Sequence, residues 1–289
     1  MQIEQFTQLT QSQIEDIHLL SQVVHTYDHT HKDAYLSNQY NHFPEMPTFV
    51  LGYENESLIG FVMLYADGDI DEIVEISLMV HPSARRKGIG TAIKQRAFEI
   101  LTEFGYHKVQ YLTERAFLVA NPDFLMKNQL VVDAEFEYQM RFEKEPVSVE
   151  SKMGIGIRRM QQADVVQLVP PYMNAFPDST AHAAEQYLQE SLDDTSIETY
   201  VLLYEDQPIG YCAVDNGGYY YIFGLFVDAD YRNRGFGAQF MQLIMRELYL
   251  QEAKPFVIGV EGDNNQAHHL YQKLGFEDET VLEYLTEGE

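Results

Sequence analysis

The chain has 289 residues, 45% of them hydrophobic, and a net charge of −26 shared between its halves: 11 basic and 23 acidic residues in 1–150 (−12), 8 and 22 in 151–289 (−14). So acidic a surface argues against nucleic acid as the main partner, because phosphate backbones require basic residues. The chain has no long charge-free apolar run to predict a membrane helix, Met1-Gln2-Ile3-Glu4-Gln5 does not read as a signal peptide, and the lone Cys212 permits no internal disulfide, so a cytoplasmic location is expected.

In chain order, an amphipathic segment from Ile14 to Val24 predicts a helix. Thr48–Tyr53 and Leu58–Phe61 follow as short apolar runs, and Glu75–Val80 predicts a strand. That strand leads into Arg85-Arg86-Lys87-Gly88-Ile89-Gly90. Ile93, Ala97, Ile100, Leu101 and Phe104 then recur at helical spacing, and Gly105 stops the helix. Val109–Leu112 predicts a further strand, and the charged stretch from Glu143 to Gly156 reads as a linker.

The same order then returns. Val165 to Met173 predicts a helix. Thr199–Tyr204 and Ile209–Val214, joined by Glu205-Asp206-Gln207-Pro208, predict a hairpin. Tyr221–Val227 leads into Arg232-Asn233-Arg234-Gly235-Phe236-Gly237. A helix with Phe240, Met241, Ile244, Met245 and Leu248 on one face follows, then a strand over Phe256–Val260. Phe136-Glu137-Tyr138 aligns with Leu282-Glu283-Tyr284. The offset falls only from 151 (Thr48 to Thr199) to 146 (Phe136 to Leu282), as a duplication requires. The expected fold is therefore α/β, an α+β mixed-sheet unit built twice, with tandem domains over 1–146 and 154–289.

Both R-x-x-G-x-G loops join a predicted strand to a predicted helix. Glycines at 88 and 90, and at 235 and 237, let backbone N–H groups turn toward one anion at a helix N-terminus. Arg85 and Arg232 supply fork-shaped donors suited to phosphate. A nucleotide P-loop is absent, and Ile93 and Phe240 stand where a dinucleotide fingerprint needs a small residue.

The loops resemble the acyl-coenzyme A pyrophosphate loop of the GCN5-related N-acetyltransferase (GNAT) superfamily. The second copy also carries Asn264-Asn265-Gln266-Ala267-His268-His269-Leu270-Tyr271-Gln272-Lys273-Leu274-Gly275-Phe276, which is similar to the family's N-x-x-A-x-x-L-Y-x-x-x-G-F pattern. The resemblance implies transfer of an acetyl group from acetyl-CoA to a primary amine by direct attack. It implies coenzyme contacts from Arg232, Asn233, Arg234, Gly235, Phe236, Gly237 and Ala238, and a pantetheine or water contact from Asn264. It further implies oxyanion support from the backbone at Leu225, Phe226 and Val227, and Tyr271 as the general acid.

Several points stay open on sequence alone. Glu261, at a predicted strand end, is a candidate base; its counterpart is Glu114, and a water chain would also serve. In many relatives a Glu on the strand before the loop is the base, which matches Glu75 in the first copy but Ile222 in the second. The first copy keeps Arg85, Gly88 and Gly90 but has Pro122, Leu125 and Gln129-Leu130 where the second motif should lie. It is expected to be degenerate, and the second copy catalytic. The alternatives are a non-catalytic acyl-CoA-binding regulatory protein, or activity centred in the first copy. The acceptor is expected to be a small-molecule amine or a peptide or protein amine, with the acidic surface mildly favouring a cationic one. No metal, nucleic acid or membrane partner is expected; His29, His31 and Asp33 form no complete ligand set, and His268 and His269 read as helix-surface residues. The oligomeric state is not legible.

Overall fold

A computed structural model describes residues 1–148, 154–177 and 179–288. The first of two compact units begins with β1 (Gln2–Phe6) and α1 (Gln11–Asp28). Thr10 caps α1 in a capping box with Gln13, which satisfies donors that a helix start leaves orphaned. Next come β2 (Phe49–Glu54), β3 (Ser57–Tyr65), β4 (Ile73–Val80), α2 (Ile89–Phe104) and β5 (Lys108–Glu114). Two short helices, α3 (Arg115–Ala120) and α4 (Phe124–Asn128), precede β6 (Leu130–Phe142). One face of the sheet buries Val62, Val74 and Ile76 beneath Ile93, Ala97 and Ile100 of α2. The other buries Phe49, Phe61 and Met63 beneath Ile17, Leu20 and Val24 of α1.

The second unit repeats the plan with β7 (Ile155–Arg159), α5 (Gln162–Ala175), α6 (Ala181–Asp193), β8 (Ile197–Tyr204) and β9 (Gln207–Asn216). It continues with β10 (Tyr220–Val227), α7 (Phe236–Gln251), β11 (Phe256–Glu261) and α8 (Asn265–Leu274), and the chain ends in β12 (Glu277–Glu287). Glu205 and Asp206 turn the β8–β9 hairpin with φ of 49° and 65°, the left-handed pair that matches strand twist. Residues 149–153 of the expected linker lie outside the described residues, and Ile155 and Gly156 at its far end belong to β7.

The compact units are not contiguous in sequence. The first is Met1–Tyr138 with Glu279–Glu289, the second Gln139–Asp278. The strand order is β1-β2-β3-β4-β5-β12 in the first unit and β7-β8-β9-β10-β11 in the second, and β6 is divided, its residues to Tyr138 in the first and its end from Gln139 in the second. β12 runs antiparallel to β5, with Leu282 opposite Glu114 and Leu285 opposite Tyr111, and Leu285 is buried in the first unit's core. The end of β6 places Phe142 against Phe256 and Phe276 of the second unit, with ring centroids 6.2 and 5.5 Å away. The last strand, which the tandem expectation kept with the second copy, thus packs in the first unit.

One feature of the sheets positions the site. β4 and β5 pair in parallel from Ile73 opposite Lys108 to Ile76 opposite Tyr111, then run on separately to Val80 and Glu114. β10 and β11 do the same, pairing from Tyr220 opposite Phe256 to Ile222 opposite Ile258, then separating toward Val227 and Glu261. Each unit's central parallel pair therefore splits on the loop-bearing side.

Candidate active site

In the second unit β10 ends at Val227, and a single tight turn, Ala229–Tyr231, delivers the chain to the loop. Arg232 Nε donates to Val227 O at 2.9 Å, so this side chain fixes the strand end. Asn233 has φ 61° and Gly235 φ 82°, which aim the backbone into α7. No side chain caps α7, and the first bond into the helix is Gln239 N–H to Gly235 O at 3.2 Å. The N–H groups of Phe236, Gly237 and Ala238 thus open the helix without a side-chain acceptor, the arrangement that attracts phosphate. Arg234 donates to Asp230 O at 2.9 Å and lies over the Tyr231 ring. Gln266 of α8 donates to Asn233 Oδ1 at 3.3 Å, tying the second motif to the loop.

The first unit reproduces this backbone. Arg86 has φ 61° and Gly88 φ 81°, and Arg85 Nε donates to Val80 O at 3.0 Å. The difference lies in the arginine fork. Arg85 gives both terminal nitrogens to Asp28, at 2.7 and 2.5 Å, and that carboxylate is only 5% exposed. The fork expected to face a phosphate is taken by the end of α1.

The splits differ too. β3 and β4 hold one register from Gly60 opposite Val80 to Tyr65 opposite Glu75. In β10 the register breaks: Phe223 faces Ala213 and Phe226 faces Tyr211, so Gly224 and Leu225 bulge opposite Cys212. Gly224 takes φ 59° there. Of the three predicted oxyanion residues, Leu225 lies in the bulge, while Phe226 and Val227 are back in register with Tyr211 and Gly210.

Tyr271 stands on α8, where its ring lies 6.0 Å from that of Phe276. Asn264 caps that helix by accepting from Ala267 N–H at 3.1 Å, and Gly275 ends it with φ 97°. Tyr271 is 6% exposed. Burial raises the proton affinity of its hydroxyl, and the nearby Cys212 thiol raises it further. The α8 helix follows directly from the end of β11 and packs beside the start of α7, where Leu270 lies 3.6 Å from the position of a β-carbon at Gly237. Glu261, by contrast, is exposed at the end of β11, where its carbonyl accepts from Asn264 N–H.

Sequence reasoning missed Tyr187. It stands on α6, and its hydroxyl lies against Gly224 so closely that no β-carbon fits there. Tyr172, Tyr211 and Phe226 surround it. The only signal available was an aromatic residue at helical spacing in a stretch without a motif.

The sequence comparison decides the family. The model of the acetyltransferase (GNAT) family matches residues 14–122 and again residues 164–276. The chain belongs to the GNAT acetyltransferase family. Among solved structures, a GCN5-related N-acetyltransferase from Sphaerobacter thermophilus is similar over 99% of this chain and 97% of its own, with TM-score 0.73 and 16% identity. A tandem GNAT protein from the clavulanic acid biosynthesis pathway is similar over 99% and 98%, with TM-score 0.71 and 14% identity. A GNAT-family acetyltransferase from Colwellia psychrerythraea covers 99% and 100%, with TM-score 0.59 and 13% identity. At these identities the likeness speaks for the fold. No curated protein matches the chain significantly.

Within this GNAT chain the first unit's second motif is broken. α3 and α4 are separated by Asn121–Asp123, around the Pro122 that interrupts the pattern. Leu125 packs at the edge of the core, and Gln129 adopts φ 55° where the second unit has Gly275. Glu114 is buried and accepts from His31 and Lys32 N–H at 2.7 and 2.8 Å, so it organises a loop. Burial pushes Glu75 up to about 7, with Glu137 and Asp67 adding to it and Lys32 opposing. His268 and His269 are engaged locally, with Asp278 and with Asn265 O. Among the described residues no group of three or more His, Cys, Asp or Glu gathers for a metal, and no helix is long and apolar enough to cross a membrane.

Proposed function

We propose that the second unit transfers an acetyl group from acetyl-CoA to a primary amine. The observation that carries this is a buried Tyr271 on α8, the helix that follows β11 and packs on the uncapped start of α7, together with the Gly224–Leu225 bulge in β10. The first unit has neither the bulge nor a tyrosine on an intact second-motif helix.

In this mechanism the loop amides from Arg232 to Ala238 hold the coenzyme pyrophosphate, and the pantetheine arm runs into the split. The amine lone pair attacks the thioester carbonyl carbon, forming the C–N bond. The backbone at the bulge stabilises the developing oxyanion. Collapse breaks the C–S bond, Tyr271 gives its proton to the thiolate sulfur, and the surplus proton on nitrogen leaves to water, from which Tyr271 is restored. Burial keeps Tyr271 protonated at neutral pH, the form in which a general acid must stand.

Purified protein would be given acetyl-CoA and a panel of amines, following thiol release. Tyr271→Phe is expected to lower kcat by about 100-fold with the best amine, the usual scale for losing a positioned acid. An unchanged rate rules out Tyr271 as the acid.

A second reading, with chemistry in the first unit, is favoured by Glu75, whose value of about 7 suits a base at neutral pH. It requires Glu75→Gln, and not Tyr271→Phe, to abolish turnover.

A further inference from the structure

We infer that the acceptor of the second unit is a primary amine carried on an aromatic or aliphatic body, received by an uncharged aromatic wall and oriented by the Tyr187 hydroxyl. This rests on the reading that the second unit transfers the acyl group.

The wall is built on an element the first unit lacks. Between α1 and β2 the first unit has no helix, whereas the second inserts α6. α6 carries Tyr187 onto the bulge, on the side from which Tyr172, Phe176, Tyr211 and Phe226 pack. Tyr172 lies 4.7 Å from Phe176, 5.5 Å from Tyr187 and 5.6 Å from Phe226, centroid to centroid. Tyr211 lies 6.3 Å from Tyr187 and 5.9 Å from Phe226. Tyr211 and Phe226 are buried and form the base of the wall, while the part-exposed Tyr172 and Tyr187 and Phe176, 39% exposed, form its face.

The groups around the two splits differ in charge. The groups acting on Tyr187 are Tyr172 and Cys212, with hydrogen bonding to Tyr211 and Ser191. Cys212 acts on Tyr271, and burial alone acts on Tyr172. None of these groups is a carboxylate or a cation. At the first unit's split Glu75 has Lys32, Glu137 and Asp67 about it.

An uncharged wall selects its substrate physically. An ammonium moved there loses hydration and finds no counter-ion, so its pKa falls and the neutral, nucleophilic amine is favoured. The wall thereby supplies what neither the exposed Glu261 nor the buried Ile222 offers, a way to an unprotonated nitrogen without a carboxylate base. A polyamine would bring further charges with nothing to pair them. An apolar body gains by burial against the rings. The Tyr187 oxygen can accept one amine N–H and so point the lone pair at the carbonyl, while keeping its own proton throughout.

The test compares phenethylamine, spermidine and a lysine-containing peptide as acceptors with acetyl-CoA, in the wild type and Tyr187→Phe. Phenethylamine is expected to lead spermidine in kcat/KM by about tenfold or more, on the scale of one unpaired charge left in the wall. Tyr187→Phe is expected to lower kcat/KM for phenethylamine by about tenfold, as for one orienting hydrogen bond, leaving the KM for acetyl-CoA and the thermal midpoint in place. In the wild type, log kcat/KM should rise with unit slope up to the pKa of free phenethylamine, without an enzyme inflection near neutrality. Spermidine preference, an unchanged Tyr187→Phe, or a break near neutrality overturns the inference. If spermidine leads but Tyr271→Phe is inactive, the inference falls and the second-unit chemistry stands. If Tyr271→Phe is fully active and Glu75→Gln is inactive, that chemistry falls, and a titration of phenethylamine into CoA-saturated protein decides the wall. Saturable binding weakened in Tyr187→Phe supports it, and no binding overturns it.

Discussion

Gly224 shows how much one missing side chain permits. Its φ of 59° already disfavours any L side chain, and a β-carbon would collide with the Tyr187 hydroxyl and approach the Tyr211 ring to 3.3 Å. Gly88 has the same backbone preference at φ 81°, yet nothing lies within 4 Å of where its β-carbon would stand. The two glycine-to-alanine changes therefore separate strain from collision. Gly88→Ala should cost about 1 kcal/mol, the left-handed penalty alone, and Gly224→Ala about 2–4 kcal/mol, because the packed phenol cannot swing aside. Denaturant titration of both variants checks the ordering, and equal losses refute it. Only one of these glycines was legible in the sequence. Gly88 stands in a loop whose spacing announces a turn into a helix. Gly224 is a lone glycine in an apolar run, and its importance depends on an α6 residue 37 positions earlier.

The two loops are alike as elements and differ in what holds them. Motif spacing captured their backbone, since both arginines donate to the carbonyl that ends the preceding strand. It did not capture Asp28, because the pairing depends on α1 ending beside the loop, 57 residues away in sequence. The consequence is measurable. Arg85→Ala leaves a carboxylate that is 5% exposed without its bidentate partner, and should cost about 2–3 kcal/mol, discounted because the arginine itself is 27% exposed. Arg232 is exposed and makes one backbone bond, so Arg232→Ala should cost under about 1 kcal/mol while weakening coenzyme binding. Thermal unfolding compared with coenzyme titration separates the two roles; a more destabilising Arg232→Ala contradicts this account. Tyr271 and Asn264 were legible for a related reason. Their motif is one short helix with its own cap and stop, so local spacing specifies it, while α6 and its aromatic wall carry no local signature.

Duplication was plain in the whole chain, and the exchange of strands was hidden by it. Phe136-Glu137-Tyr138 and Leu282-Glu283-Tyr284 have the same pattern, so either strand satisfies the edge of either sheet as far as hydrophobicity can tell. The structure assigns Glu279–Glu289 to the first unit, where Leu285 is buried, Tyr284 donates to Glu137 Oε1 at 2.6 Å and Gly288 N–H donates to Gln129 O at 2.8 Å. A fragment ending at residue 148 lacks that strand. It leaves β5 as an open edge and removes Leu285 from the core, a loss of about 2–5 kcal/mol from the leucine alone, on top of an unpaired strand edge that invites association. The fragment over 1–148 is therefore expected to aggregate when made alone. Co-expressed with residues 154–289, which bring the missing strand, it should become soluble and copurify with them. Gel filtration and thermal melting of the three preparations test this. A monomeric, cooperatively melting 1–148 fragment would show that the first unit completes its sheet without the end of the chain.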